Sequence, residues 1–196
     1  MLRSIPPKIR KRMKHLERLD AQHRRQRFRH FDRLRQVPPV TGRFLAITAA
    51  SAPEGKCLEI GTSGGYSTLW LSLACLETKR RITTFEMFED KIRLARETFR
   101  SAGIENLVDL VEGDARKHLK AYKGVSFCFL DAEKHHYLDC YNLVVPNMVS
   151  GGLLVVDNVI SHREIAGPMV RKALKDRRAD ALIVPLGSGL LVARKI

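Results

Sequence analysis

From about residue 41 onward, short apolar runs alternate with stretches whose apolar side chains recur every three or four positions. The runs at 57–60, 81–85, 107–111, 125–130 and 152–156 are rich in Val, Ile, Leu and Phe, as buried strands are. Between them the periodicity predicts helices over 42–52, 66–75, 89–102, 134–148 and 165–178. A shorter helix is expected from Gly113 and Asp114 to Tyr122. Pro53 with Gly55 ends the first helix, and Gly103 ends the third. Two last runs, 181–184 and 189–193, flank Pro185, Leu186, Gly187 and Ser188, the spacing of a terminal hairpin. Such alternation implies an α/β fold: a doubly wound, mostly parallel sheet of about seven strands with helices on both faces and an antiparallel hairpin at the C-terminus.

The first 36 residues have a different texture. Pro6 and Pro7 suit a helix start. Ile9, Met13 and Leu16 recur at helical spacing, as do Phe28, Phe31 and Leu34, while 20–27 are almost wholly polar. One or two amphipathic helices with a basic outer face follow, closed by Val37, Pro38 and Pro39. The expected division is therefore a helical arm over 1–36 and a main domain over 37–196. The arm's apolar stripe could pack on the main domain, on a second subunit or on a membrane interface.

Charge sharpens that division. The net charge is +14, and residues 1–36 hold 13 Lys/Arg against three acids, so the arm carries +10 of it. Such asymmetry raises an anionic partner, nucleic acid or membrane surface, against the plainer reading of a solvated helical face. A chain of 196 residues with 44% hydrophobic content can bury one substantial core. Cys57, Cys75, Cys128 and Cys140 form no C-x-x-C pair, which fits a reducing, cytoplasmic setting. No run of about 18 apolar residues predicts a membrane span, and the basic N-terminus lacks the apolar core of a signal peptide.

The candidate chemistry sits at strand ends. The run ending in Phe129 and Leu130 stops at Asp131, with Lys134 three residues on and Tyr137 beyond. The run ending in Val155 and Val156 stops at Asp157 and Asn158. Ligands of open α/β sheets bind outside the carboxyl ends of strands. Two carboxylates and an amide oxygen are hard donors, suited to Mg²⁺ first and to Mn²⁺ or Ca²⁺ also, with the amine as a proton acceptor. Singly, each has a plainer reading: Asp131 as a helix cap, Lys134 as a surface residue, Asp157 and Asn158 as a turn. Their grouping favours the site. His135, His136 and His162 are assigned surface or substrate-side roles, and Trp70 a core position.

The strand 57–60 leads through Gly61, Thr62, Ser63, Gly64 and Gly65 into a helix start, a turn whose glycines and free N–H groups admit close approach of a ligand. Ser63 breaks the G-x-G-x-x-G dinucleotide pattern. Glu86, at the end of the next strand, can take both hydroxyls of a ribose, so a nucleoside-bearing cofactor without a pyrophosphate fits. The same loop also satisfies the G-x-S-x-G nucleophile elbow, with Asp131 or Asp157 and then His162 in triad order. That reading leaves Glu86, Lys134 and Asn158 without a role.

Taken together, the chain resembles the small metal-dependent O-methyltransferases that use S-adenosylmethionine, the catechol and caffeoyl-CoA O-methyltransferase group. The segments that carry the resemblance are Leu58 to Gly61 with Gly65, Tyr66 and Ser67; Glu86; Glu112 to Ala115; Asp131 to Lys134 with Tyr137; and Gly151 and Gly152 through Asp157 and Asn158. It runs from about Val37 to the C-terminus. It implies a class I, Rossmann-like methyltransferase fold, with Val37, Glu59, Gly61, Ser63, Gly65, Ser67, Glu86, Met87, Asp114, Ala115 and Asp131 around the cofactor. It further implies a metal held by Asp131, Asp157 and Asn158, Lys134 as the base, a small hydroxylated substrate and a homodimer. The segment after Asn158 (Val159, Ile160, Ser161, His162, Arg163) lacks the aromatic residues expected to clamp a flat phenolic ring. Two alternatives therefore stand beside the catechol-like acceptor. One is the same chemistry on an RNA base hydroxyl, such as a tRNA wobble hydroxyuridine, motivated by the basic arm. The other is a non-enzymatic nucleic-acid-binding or assembly protein on a vestigial cofactor fold.

Overall fold

A computed structural model of the protein describes residues 1–26 and 34–196. Seven strands form one sheet in the order β3-β2-β1-β4-β5-β7-β6. They are β1 (Lys56–Ile60), β2 (Ile82–Glu86), β3 (Val108–Glu112), β4 (Val125–Leu130), β5 (Met148–Val156), β6 (Ala179–Val184) and β7 (Leu190–Lys195). The first five run parallel, and β7 lies antiparallel to both β5 and β6. The expected doubly wound sheet with its terminal hairpin is therefore present.

Both faces of the sheet are covered, and every residue of β4 is buried, the condition of a central parallel strand. Alternate positions feed two cores. On one side Cys57, Phe127, Phe129 and Val155 meet α1 (Pro7–Arg25), α2 (Pro39–Ser51), α3 (Tyr66–Thr78) and α4 (Glu89–Ala102). On the other, Leu58, Ile60, Cys128 and Leu130 meet α5 (Tyr137–Val144) and α6 (Arg163–Lys175). Trp70 is in the first core, as expected from its helix.

Helix α1 answers the question of what the arm's stripe covers. Ile9, Met13 and Leu16 are almost wholly buried in the first core, and Arg12 donates to Thr98 Oγ1 and Glu97 Oε1 on α4. The arm packs within its own chain. Phe28 and Phe31, the other predicted stripe, lie outside the described residues.

Two predicted helices are broken up in the fold. The helix predicted over 134–148 is broken into a 3₁₀ turn at Lys134–His136, α5, and a second 3₁₀ turn at Val145–Asn147 that contains Pro146. Proline lacks the N–H to continue an α-helix, so the chain turns into β5 at Met148. The segment expected as one helix from Asp114 to Tyr122 is instead two 3₁₀ turns, Ala115–Lys117 and Leu119–Ala121.

Register places the site. Ile60 pairs with Leu130, and Leu130 with Val156, so β1, β4 and β5 end at one level. The next residues, Gly61, Asp131 and Asp157, are then neighbours. The Asp131 N–H donates to Ile60 O at 2.9 Å and the Asp157 N–H to Leu130 O at 3.1 Å. Gly61, at φ 102, approaches so closely that a Cβ there would lie 2.3 Å from the Asp131 carbonyl oxygen.

Candidate functional site

The carboxyl ends of β1, β2, β4 and β5 open into one cleft of about 310 Å³. On its first side the loop after β1 carries Ser63 in the left-handed region, φ 48, where a non-glycine residue is uncommon. The conformation is held from both sides. The Ser63 N–H donates to Glu86 Oε2 at 2.7 Å, and its hydroxyl donates to Leu34 O at 2.9 Å. Glu86 accepts two further backbone N–H bonds on Oε1, from Met87 at 2.8 Å and Phe88 at 3.0 Å. A carboxylate so held is fixed in direction, and Oε2, which accepts one bond against two on Oε1, keeps acceptor capacity for a ligand hydroxyl.

Asp114, also at the rim, accepts from the Arg116 N–H and from its guanidinium, which lowers its carboxyl to about pH 2. Arg116 reaches Asp139 as well.

Glu59 stands apart. It is fully buried behind the loop rather than in the cleft wall, and accepts from Thr68 Oγ1 at 2.5 Å and Thr84 Oγ1 at 2.6 Å. Among the described residues its Oε1 has no hydrogen-bond partner. Burial, above all, pushes its carboxyl up to about 7. Gly65, at φ 85 against Phe99, likewise lies behind the wall. Both were expected to touch the cofactor; here they support the residues that line the space. Val37, Gly61, Ser63, Ser67, Glu86, Met87, Asp114, Ala115 and Asp131 do line it.

The second side gathers the β4 and β5 tips. Asp131 Oδ1 accepts from Lys134 Nζ at 2.9 Å and from Asn158 Nδ2 at 2.9 Å, with the Tyr137 hydroxyl at 3.5 Å. Asp131 is thus not the cap of the following turn, whose first residue is preceded by Glu133 with no side-chain cap. Lys134 Nζ donates also to Ala132 O at 3.1 Å. Tyr137, fully buried, donates to Asp157 O at 3.1 Å and so ties the two strand tips together. Asn158 has φ 64, a left-handed value that Asn tolerates, which turns its amide back toward Asp131. Asp157 is raised to about 7, by burial first and then by the negative charge of Asp131. Its one favourable local bond is the Asn158 N–H, 2.7 Å from Oδ1.

Two carboxylates that repel one another, beside an amide that can rotate to offer its oxygen, form a donor set that a hard dication fits. Among the described residues no group of three or more His, Cys, Asp or Glu side chains could hold a metal ion. The candidate set has two carboxylates and completes itself with an amide.

The nucleophile-elbow arrangement is not formed. The Ser63 hydroxyl donates to Leu34 O, and His162 Nδ1 lies 3.0 Å from the Ser161 hydroxyl. His136 and His162 border the cleft, while His135 is exposed.

Several cleft residues left no signal in the sequence. Asp20 and Arg24 come from the end of α1, Arg35 and Gln36 from the segment before α2, and Ser188 from the hairpin turn. Arg35, at φ 50, pairs with Glu133 at 2.7 Å and so joins the arm to the loop between Asp131 and Lys134. Only the tertiary fold brings these residues there.

Comparison with known proteins agrees with this geometry. The profile of the O-methyltransferase family matches residues 11–196. A catechol O-methyltransferase of Mycobacterium tuberculosis is 33% identical over 121 residues, 61% of this chain and 54% of that protein, so the match spans about half of its length. A caffeoyl-CoA O-methyltransferase of Medicago sativa is 25% identical over 180 residues, covering 79% of this chain and 72% of that one. The crystal structure of an O-methyltransferase from Bacillus cereus in complex with SAH superposes with a TM-score of 0.78, over 95% of this chain and 91% of that one, at 23% identity.

Proposed function

The chain belongs to the O-methyltransferase family, an S-adenosylmethionine-dependent class of enzyme, and from that premise we propose what its cleft does. It transfers the cofactor's methyl group to one of two neighbouring hydroxyl oxygens of a small catechol-like molecule. A divalent cation, Mg²⁺ or alternatively Mn²⁺ or Ca²⁺, is held by Asp131, Asp157 and Asn158. Lys134 takes up the proton.

The observation that carries this reading is the meeting of Lys134 Nζ and Asn158 Nδ2 on one oxygen of Asp131, each 2.9 Å from it, in the same cleft as the Glu86 cradle. Glu86 orients the ribose through the free lone pair on Oε2, while the Ser63 and Gly61 backbone lets the cofactor sit close to the strand ends. The bound cofactor supplies a sulfonium-activated methyl group; the oxygen–carbon bond forms as the sulfur–carbon bond breaks. A bound dication would supply charge that favours the ionised acceptor hydroxyl. Asp131 holds the Lys134 amine at the place where the acceptor proton leaves, which is the geometry a general base needs. Positioning is the largest contribution the protein makes to a methyl transfer of this kind, on the order of 7–11 kcal/mol.

The test is a methyl-transfer assay on catechol with labelled S-adenosylmethionine, before and after EDTA. Activity should vanish with EDTA and return with Mg²⁺. Equal activity in EDTA would remove the metal from the account, and no transfer to any vicinal diol would remove the acceptor class.

A further inference from the structure

The outward face of α1 has no role in the cleft chemistry, and its charges differ from those of the neighbouring α4. Lys8, Arg10, Lys11, Lys14, Arg18 and Arg25 are all exposed. Arg10, Lys14 and Arg18 recur every fourth residue, so they stand in one row along the helix. The helix contains two acids, and neither pairs with that row. Glu17 accepts from the Tyr66 hydroxyl at 2.6 Å, and Asp20 is buried and pairs with Arg24. On the neighbouring α4 the arginines are matched: Arg93 by Glu89 and Asp90, Arg96 by Glu112, and Arg100 by Glu105. On α1 no described acid pairs with the row. Like charges at i,i+4 destabilise a helix, so this face is held in a state that a counter-anion relieves.

We propose that this face of α1 is a docking strip for the phosphate backbone of RNA. From Arg10 to Arg25 it is roughly 22 Å long, enough to follow several phosphates along one strand. A membrane surface is the poorer match. An interfacial helix sinks an apolar face between headgroups, and here Ile9, Met13 and Leu16 are already buried against α3 and α4. No exposed large hydrophobic residue lies on α1. The strip runs toward the cleft, since Asp20 and Arg24 at the end of the same helix line it. The choice of RNA over DNA rests on the O-methyltransferase reading, because an RNA strand ends in two neighbouring ribose hydroxyls, the acceptor pattern proposed for the cleft, and a DNA strand does not.

The test uses the full chain and a structured RNA of tRNA size. Duplex DNA of equal charge and phosphatidylserine vesicles serve as comparison arms. RNA binding should weaken steeply between about 50 and 200 mM salt, with a log–log slope near −4 for about five neutralised phosphates. The triple variant Arg10→Gln, Lys14→Gln, Arg18→Gln should lower that slope by about 3 while S-adenosylmethionine affinity stays unchanged. Absence of RNA binding at the low salt, or a variant that binds as well as the parent, would overturn the proposal. So would equal or tighter binding to DNA or to the vesicles. Catechol methylation measured on the same preparations separates the two claims. Lost methylation with intact RNA binding strikes the cleft chemistry, and the converse strikes the strip alone.

Discussion

The two sides of the cleft are built on opposite principles. On the cofactor side Glu86 accepts three backbone N–H bonds, so its charge is satisfied and aimed by the main chain. On the side proposed for the acceptor Asp131 and Asp157 repel each other, and Lys134 Nζ and Asn158 Nδ2 both turn to one oxygen of Asp131. The first side is satisfied by its own main chain; the second, on the reading proposed above, would be completed by a cation. The difference teaches that repelling carboxylates set one side of the cleft apart from a side built of satisfied bonds.

The largest effects should come from breaking the acceptor side. Asp131→Ala should reduce kcat/KM about 10³-fold or more, because it removes a cation ligand and releases Lys134. Lys134→Met should cost about 10²-fold in kcat, the contribution of a positioned base, and leave cofactor affinity nearly intact. Stopped-assay kinetics and calorimetric cofactor titration separate these outcomes; a Lys134→Met protein with parental kcat would contradict the role of the amine.

Beneath the loop, Glu59 predicts a pH dependence of stability. Its folded carboxyl titrates at about 7, above the ordinary 4.5, so the folded state keeps a proton that the unfolded chain has lost. Stability is therefore greatest on the acid side and falls as pH rises through about 4.5 to 7. The loss is up to about 3 kcal/mol. Asp157, raised to about 7, contributes in the same direction when no cation is bound. Urea unfolding of the metal-free protein at pH 5 and 8 should show this loss, and Glu59→Gln should flatten it. An unchanged slope in the variant would assign the dependence elsewhere.

Breaking the other side should be milder in a distinct way. Glu86→Gln should weaken S-adenosylmethionine binding about tenfold while kcat at saturating cofactor stays within a few-fold, since a charge-assisted acceptor is lost and no reacting group is touched. Smallest is Arg35→Ala. Its pair with Glu133 is partly exposed, with side chains 36% and 27% accessible, and such pairs contribute less than about 1 kcal/mol. A fall in cofactor affinity of less than about fivefold is expected; a hundredfold loss would make the arm part of the binding machinery.

Much of this arrangement was legible from residue order alone because these residues sit where strands end. Asp131 and Asp157 follow apolar runs directly, and parallel register brings such residues to one level. Glu86 was legible for the same reason. The distinction between Glu59, behind the wall, and Ser67, in it, was not, because it depends on which face of β1 meets α3. Nor were Arg35, Arg24 and Ser188, which reach the cleft across long sequence separations. The α5 boundaries were missed because helical periodicity persists through 134–148, while Pro146 decides where the chain must turn.

The most direct measurement is anomalous diffraction from crystals grown with Mn²⁺ and S-adenosylhomocysteine. A single peak bonded to Asp131, Asp157 and the Asn158 amide oxygen, with Lys134 Nζ beside the acceptor position, is the predicted result. No peak there, or one held by other side chains, would contradict it.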